Sequence, residues 1–395
     1  MPKTSVLAGS VRLSVQDFYY ICKLRKYGFT AMDLGFFIEM LNIDSTSAME
    51  VAFADFMAER LAGHGRKVEV YEVGDGTKNL LVSWGKPRVV FCSHLDTVPP
   101  YISPSVDDRT VKGRGSCDAK GQIFAMYEAC RILEARGCRD FGLLLLAGEE
   151  TGSFGAKAFN SMVTEGKVEN FDEAEWVVVG EPTDNCMASA GKGTKSYDVT
   201  FTGRSCHSGY PELGASAIEY FNDFVNALRS IVFPKDDLLG DTTWNIGELV
   251  SANPQNILSD KLTCRIYFRT TFESDQMVMN IMKNIAGPQA KLRFGKRTVQ
   301  DGSDIVGKEV APWQEAMSVS LRGGDAPTRF EVLDGFPVKP VSFGSDAPVL
   351  KCFRHRILCG PGSIHVAHKP DEQIALRDIE TAVETYTKIY ELVTE

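Results

Sequence analysis

Three short apolar runs mark the first half of the chain: Val89–Cys92, Leu143–Ala147 and Trp176–Val179. Their apolar residues occupy successive rather than alternate positions, which predicts parallel strands covered on both faces. Between the first two, Ile123, Met126, Tyr127, Cys130 and Leu133 share one helical stripe, predicting a helix from Gln122 to about Ala135. Strands alternating with helices imply an α/β sheet. An earlier helix is expected over Asp33–Leu41, leading into the loop Asn42–Ser47.

The pattern changes after about Met187. Tyr197, Val199 and Phe201 alternate with Ser196, Asp198, Thr200 and Thr202, as in a strand wet on one face. A helix with Ile218, Phe221, Val225, Leu228 and Val232 on one stripe follows. A second alternating strand carries Cys264, Ile266 and Phe268 on one side and Arg265, Tyr267 and Arg269 on the other. From about Glu309 the doubly covered style is expected to return, ending in a helix striped by Ile379, Ala382, Val383, Tyr386, Ile389 and Val393. The expected fold class is α/β: a domain with a mainly parallel central sheet, interrupted by an inserted α+β lid and dimerisation domain. The expected divisions are 32–188 and 305–395 for the first domain and 189–304 for the insert. Residues 1–31 keep no strand or helix period and are expected to be a dispensable extension, with Met32 a candidate start.

Composition narrows the function classes. The chain has 395 residues, too many for one hydrophobic core. A formal net charge of -9 and the lack of a GxxxxGK[ST] loop argue against nucleic-acid or phosphate binding. No apolar run approaches the roughly 20 residues of a membrane span, and no h-region precedes a cleavage site. The 10 cysteines are dispersed without a CxxC pair, the pattern of reduced thiols in a cytoplasmic protein.

A polar cluster follows each apolar run: Ser93-His94-Leu95-Asp96, Gly148-Glu149-Glu150-Thr151 and Gly180-Glu181-Pro182. In open α/β sheets these strand ends line the binding crevice. Imidazole and carboxylate side chains there are ligands for zinc, cobalt or manganese. His94 and Asp96 lie on one side of an extended segment, so Asp96 can hold the imidazole from behind. Glu149 and Glu150 point apart, so one can bind metal while the other activates water. Asp118, at the start of the next helix, is a candidate bridge between two metals.

SHLDTVP at 93–99, GRGSCDAKG at 113–121, AGEETGSFGA at 147–156, GEPT at 180–183, GRSCHSGYPELGASAIE at 203–219 and GPGSIHVAHKPDE at 360–372 resemble, in order, the acetylornithine deacetylase and succinyl-diaminopimelate desuccinylase family of co-catalytic zinc hydrolases. The resemblance implies two Zn2+ per subunit, with Co2+ or Mn2+ able to substitute. His94, Asp118 and Glu181 would hold one ion, and Asp118, Glu150 and His368 the other. Glu149 would be the general base and Asp96 the orienting acid. His207 resembles the lid histidine that reaches a partner subunit's site, which implies a homodimer. Arg269 and Asn256 would bind the substrate carboxylate, although relatives usually carry Asp where this chain has Tyr267. The implied substrate is a small N-acyl amino acid, and the last motif is closest to acetylornithine deacetylase. Acetylcitrulline deacetylase, succinyl-diaminopimelate desuccinylase and dipeptidase or carboxypeptidase activities are the alternatives. A non-catalytic metal scaffold is disfavoured by the presence of Glu149.

Overall fold

Asp33 caps the first helix among the described residues, its carboxylate accepting from the Phe36 N–H at 3.1 Å. Helix α1, Leu34–Leu41, buries Phe36, Phe37, Met40 and Leu41. The computed structural model describes residues 32–63, 65–74, 76–294 and 309–395, so the expectation for 1–31 lies outside the described residues. Helix α2, Val51–Leu61, leads to a hairpin that the apolar runs did not announce, β1 Lys67–Glu72 and β2 Lys78–Trp84. The three apolar runs form β3 Val89–His94, β4 Phe141–Leu146 and β5 Trp176–Val179, with β3 parallel to both others. Every residue of β3 and β4 is buried, as doubly covered strands require. Helix α3, Lys120–Ala135, is buried continuously from Lys120 to Cys130. Helix α4, Phe154–Thr164, follows β4.

The chain divides into two compact units. Of the described residues, one takes those up to Met187, Glu331–Pro337 and Ser345–Glu395; the other takes those within Ala188–Phe330 and Val338–Gly344. The second unit runs β6 Gly193–Thr202, α5 Ala217–Ser230, β7 Thr243–Val250, β8 Lys261–Thr270, α6 Asp275–Asn284 and β9 Met317–Gly323. Its strands lie in the order β7-β8-β6-β9, all antiparallel. Val199, Phe201, Ile266 and Phe268 pack with Phe224, Leu228, Val278 and Met282 in one core. Arg265, Tyr267 and Arg269 alternate with these on the half-exposed face of β8.

Two features differ from the patterning. Helix α5 turns Ala217, Phe224, Ala227 and Leu228 inward, leaving Ile218 exposed, and it ends before Val232, which is exposed beyond it. Phe224 decides the roll, because it packs on Phe201 and Trp313 at ring distances of 5.6 and 5.7 Å. The doubly covered style does not resume at Glu309 either. β9 pairs with β6 as an edge strand, so the second unit's sheet continues past residue 304.

The first unit resumes with β10 His355–Leu358, parallel to β5, and ends in α7 Leu376–Thr394, which lies against α3. Its sheet order is β1-β2-β4-β3-β5-β10. Four parallel strands carry the antiparallel β1–β2 hairpin at one edge. An α/β unit with a mainly parallel sheet, interrupted by an α+β unit, is the architecture the sequence predicts. Among the described residues no helix is long and apolar enough to cross a membrane.

Candidate active site and metal centre

The adjacent strands β4, β3 and β5 all end at one edge of the sheet, and the polar clusters sit on those ends. His94 closes β3. Its Nδ1–H donates to the Asp96 carbonyl oxygen at 2.9 Å, and its Nε2 stands 3.0 Å from Asp118 Oδ1. His368 approaches the other oxygen of the same carboxylate, its Nε2 3.3 Å from Asp118 Oδ2 and 2.8 Å from Glu150 Oε1. Ligand atoms of His94, Asp118 and Glu150 all lie within 4.8 Å of one another. Glu181 is buried, and its Oε1 has no hydrogen-bond partner. His368 adopts a left-handed φ of 63°, a conformation unfavourable for histidine and frequent at functional sites.

Acids converge here beyond what the imidazoles can neutralise. Burial pushes the Glu149 carboxyl well up; His94 opposes this, and Asp346, Glu150 and Asp118 add to it. Burial, then the Asp118 charge, also raises Glu181. His368 is pushed up to about 10 by its hydrogen bonds to Asp118 and Glu150. Burial alone would lower His94, but hydrogen bonds to Asp118 and Asp96 raise it well above its ordinary value.

A ring of anchors fixes this cluster. Asp96 accepts the Glu149 and Glu150 N–H groups at 3.0 and 3.2 Å and the Ser47 hydroxyl at 2.9 Å. Its side chain therefore orients the Glu149–Glu150 turn, while its backbone carbonyl holds His94. That turn requires Gly148: its φ is 65°, and a Cβ would fall 1.7 Å from the Phe154 ring. Sequence reasoning missed Glu372, which is 1% exposed. One Glu372 oxygen accepts the N–H groups of Gly115, Cys117 and Asp118, each at 3.0 Å. The other takes Arg114 Nη1 at 2.5 Å. Asp346 was also missed. It is buried with Oδ1 unpartnered, and burial pushes its carboxyl up to about 6. Neither residue follows an apolar run, although Glu372 closes the segment GPGSIHVAHKPDE.

The remaining candidates lie in the second unit. The exposed His207 accepts the Gly209 N–H on Nδ1 at 3.1 Å, so its proton sits on Nε2. Ser208 N–H donates to the Asn256 carbonyl at 2.9 Å, bringing Asn256 beside the histidine. Arg269 presents a buried Nη1 without a hydrogen-bond partner.

The donor set of the first unit fits divalent cations. Two imidazoles meet opposite oxygens of one carboxylate, and Glu150 and the unpartnered Glu181 oxygen complete a nitrogen and oxygen set suited to zinc, cobalt or manganese. Residues 90–392 match the profile of peptidase family M20/M25/M40. The chain belongs to that family. A protein named "Probable carboxypeptidase" from Emericella nidulans is 30% identical over 386 residues, covering 89% of this chain and 87% of the relative. A tripeptidase from Staphylococcus aureus shares the fold with a TM-score of 0.70 at 19% identity, over 91% of this chain and 97% of that one. A family metallo-carboxypeptidase from Sulfolobus solfataricus gives 0.67 at 16% identity, over 90% and 97%. This chain is thus a hydrolase of a peptidase family. At the level of the family, the resemblance drawn from the motifs is borne out.

Proposed function

We propose that this protein is a two-metal carboxypeptidase or dipeptidase that hydrolyses the amide bond preceding a free α-carboxylate. The observation that carries the reading is the meeting of His94 and His368 on opposite oxygens of Asp118, with Glu149 beside the ligand Glu150 on one turn. His94, Asp118 and Glu181 would hold one ion and Asp118, Glu150 and His368 the other. Bound ions of this type supply Lewis acidity, which polarises a carbonyl and acidifies water. Glu149, its carboxyl raised by burial and by neighbouring acids, takes the proton from the attacking water and returns it to the departing amine. Asp96 keeps that turn in place.

From the second unit, His207 would offer Nε2–H to the developing oxyanion, and Arg269 would grip the substrate carboxylate with Asn256 alongside. The side-chain environment supports this, since the buried Nη1 of Arg269 has no other partner. A homodimer is part of the proposal. Tyr210, Leu213 and Ile257 are exposed around His207, as are Leu249 and Val250 at the end of the edge strand β7. Cytoplasmic residence is supported by the described cysteines, all free.

A second reading, deacylation of an N-acyl amino acid of the acetylornithine type, is favoured by the segment GPGSIHVAHKPDE. Both substrates join an amide to a carboxylate, so one panel separates them. Zinc-loaded protein is expected to cleave dipeptides with a free carboxyl terminus and to spare their C-terminal amides. Turnover of N-acetylornithine without dipeptides would favour the second reading, and no turnover of any panel member would refute both.

A further inference from the structure

Strand β8 carries two arginines on one face, and the structure treats them in opposite ways. Arg265 is paired: its Nε donates to Asp198 at 3.1 Å, and its Nη1 meets Glu248. Arg269, further along the same face, makes no ion pair among the described residues. Its cross-strand neighbours are Thr243 on β7 and Thr194 on β6, neither of them acidic. Lys192, itself buried, spends one donor on the Asp241 carbonyl at 2.5 Å. Burial lowers the Lys192 ammonium, Asp241 opposes this, and Arg269 adds to the lowering, so the two cations feel each other.

What holds Arg269 is an aromatic face. Its Cζ lies 4.8 Å from the centroid of the Tyr267 ring. Gly344 lies near the same guanidinium: a Cβ added there would stand 3.5 Å from Arg269 Nη1, an ordinary contact. A guanidinium on a ring is attracted by the ring's quadrupole without losing its charge or its planar donor fork. A carboxylate partner would instead occupy the fork, as Asp198 and Glu248 do at Arg265.

We infer that Tyr267 is a positioning residue for carboxylate recognition: it fixes the Arg269 fork by stacking and leaves its whole charge to the substrate anion. The inference rests on the proposed role of Arg269. Amides and esters of the same substrate gain nothing from such a site, so free-carboxylate ligands are selected.

The test is calorimetric binding of N-acetyl-L-leucine and its uncharged match, N-acetyl-L-leucinamide, to the metal-loaded full chain. Wild-type protein should bind the carboxylate at least tenfold more tightly than the amide, and Arg269→Ala should abolish that difference. Tyr267→Leu should weaken carboxylate binding roughly 5- to 30-fold, the value of a desolvated cation–π contact, with metal content and unfolding midpoint unchanged. Tyr267→Phe, which keeps the ring, should stay within about twofold of wild type, since the stacking face is retained. No carboxylate preference in the wild type would refute the role of Arg269 and this inference with it. A preference that Arg269→Ala removes but Tyr267→Leu leaves intact would spare Arg269 and overturn the role of Tyr267.

Discussion

Replacing Glu372 by Gln should damage the metal site although Glu372 is no ligand. The side chain is buried, and one oxygen gathers three backbone N–H groups from the segment that ends in Asp118. The other oxygen neutralises Arg114, whose side chain is also buried. Gln preserves the volume and one acceptor but turns an NH2 group toward the guanidinium. Breaking a buried pair by removing one partner costs about 3–5 kcal/mol. Converting three charge-assisted hydrogen bonds to neutral ones adds roughly 0.5–1 kcal/mol each. The sum is roughly 5–8 kcal/mol, comparable to the whole stability of many domains. Urea unfolding and metal analysis should therefore show a large fall in midpoint and loss of bound zinc. Combining Glu372→Gln with Arg114→Met should recover stability by removing the unpaired cation, yet not restore zinc, because the Asp118 segment still lacks its anionic anchor. A Glu372→Gln protein within about 1 kcal/mol of wild type and fully metallated would refute this reasoning.

Lys120 is buried, donating to the Met40 and Ile43 carbonyls at 3.0 and 2.6 Å, and burial pushes its ammonium down to about 7. Below that pH both folded and unfolded chains are protonated; above it the folded chain releases a proton that the unfolded chain keeps. Stability should thus rise with pH between about 7 and 10, by up to ~1.4 kcal/mol per pH unit. Urea unfolding of Lys120→Met should lack that component, and identical pH profiles would count against it. Sedimentation should find a dimer that Leu249→Glu with Val250→Glu dissociates, with activity falling alongside. A fully active monomer would rule out a histidine supplied by the partner.

The sequence was most legible where burial and chemistry coincide. Doubly covered strands read as unbroken apolar runs, and the residues just past them, His94, Glu150 and Glu181, supply three of the proposed ligands. The hairpin β1–β2 gave a weaker signal, because its outer strand is half wet and keeps no two-residue burial period. The roll of α5 was illegible, since Phe221 and Phe224 are equally apolar and both meet Phe201, and only Phe224 also packs on Trp313. Glu372 and Asp346 were invisible for a different reason. A buried acid satisfied by distant backbone, or turned into a site from a late loop, leaves no period in its own neighbourhood.

The central claim is that Glu150 holds metal while Glu149, its neighbour on the same turn, moves the proton. Metal analysis and peptidase turnover of Glu149→Ala and Glu150→Ala test it most directly. Glu149→Ala should retain two ions per chain and lose most of its activity, whereas Glu150→Ala should lose both metal and activity. Equal metal loss in the two variants, or an active Glu149→Ala enzyme, would contradict the account.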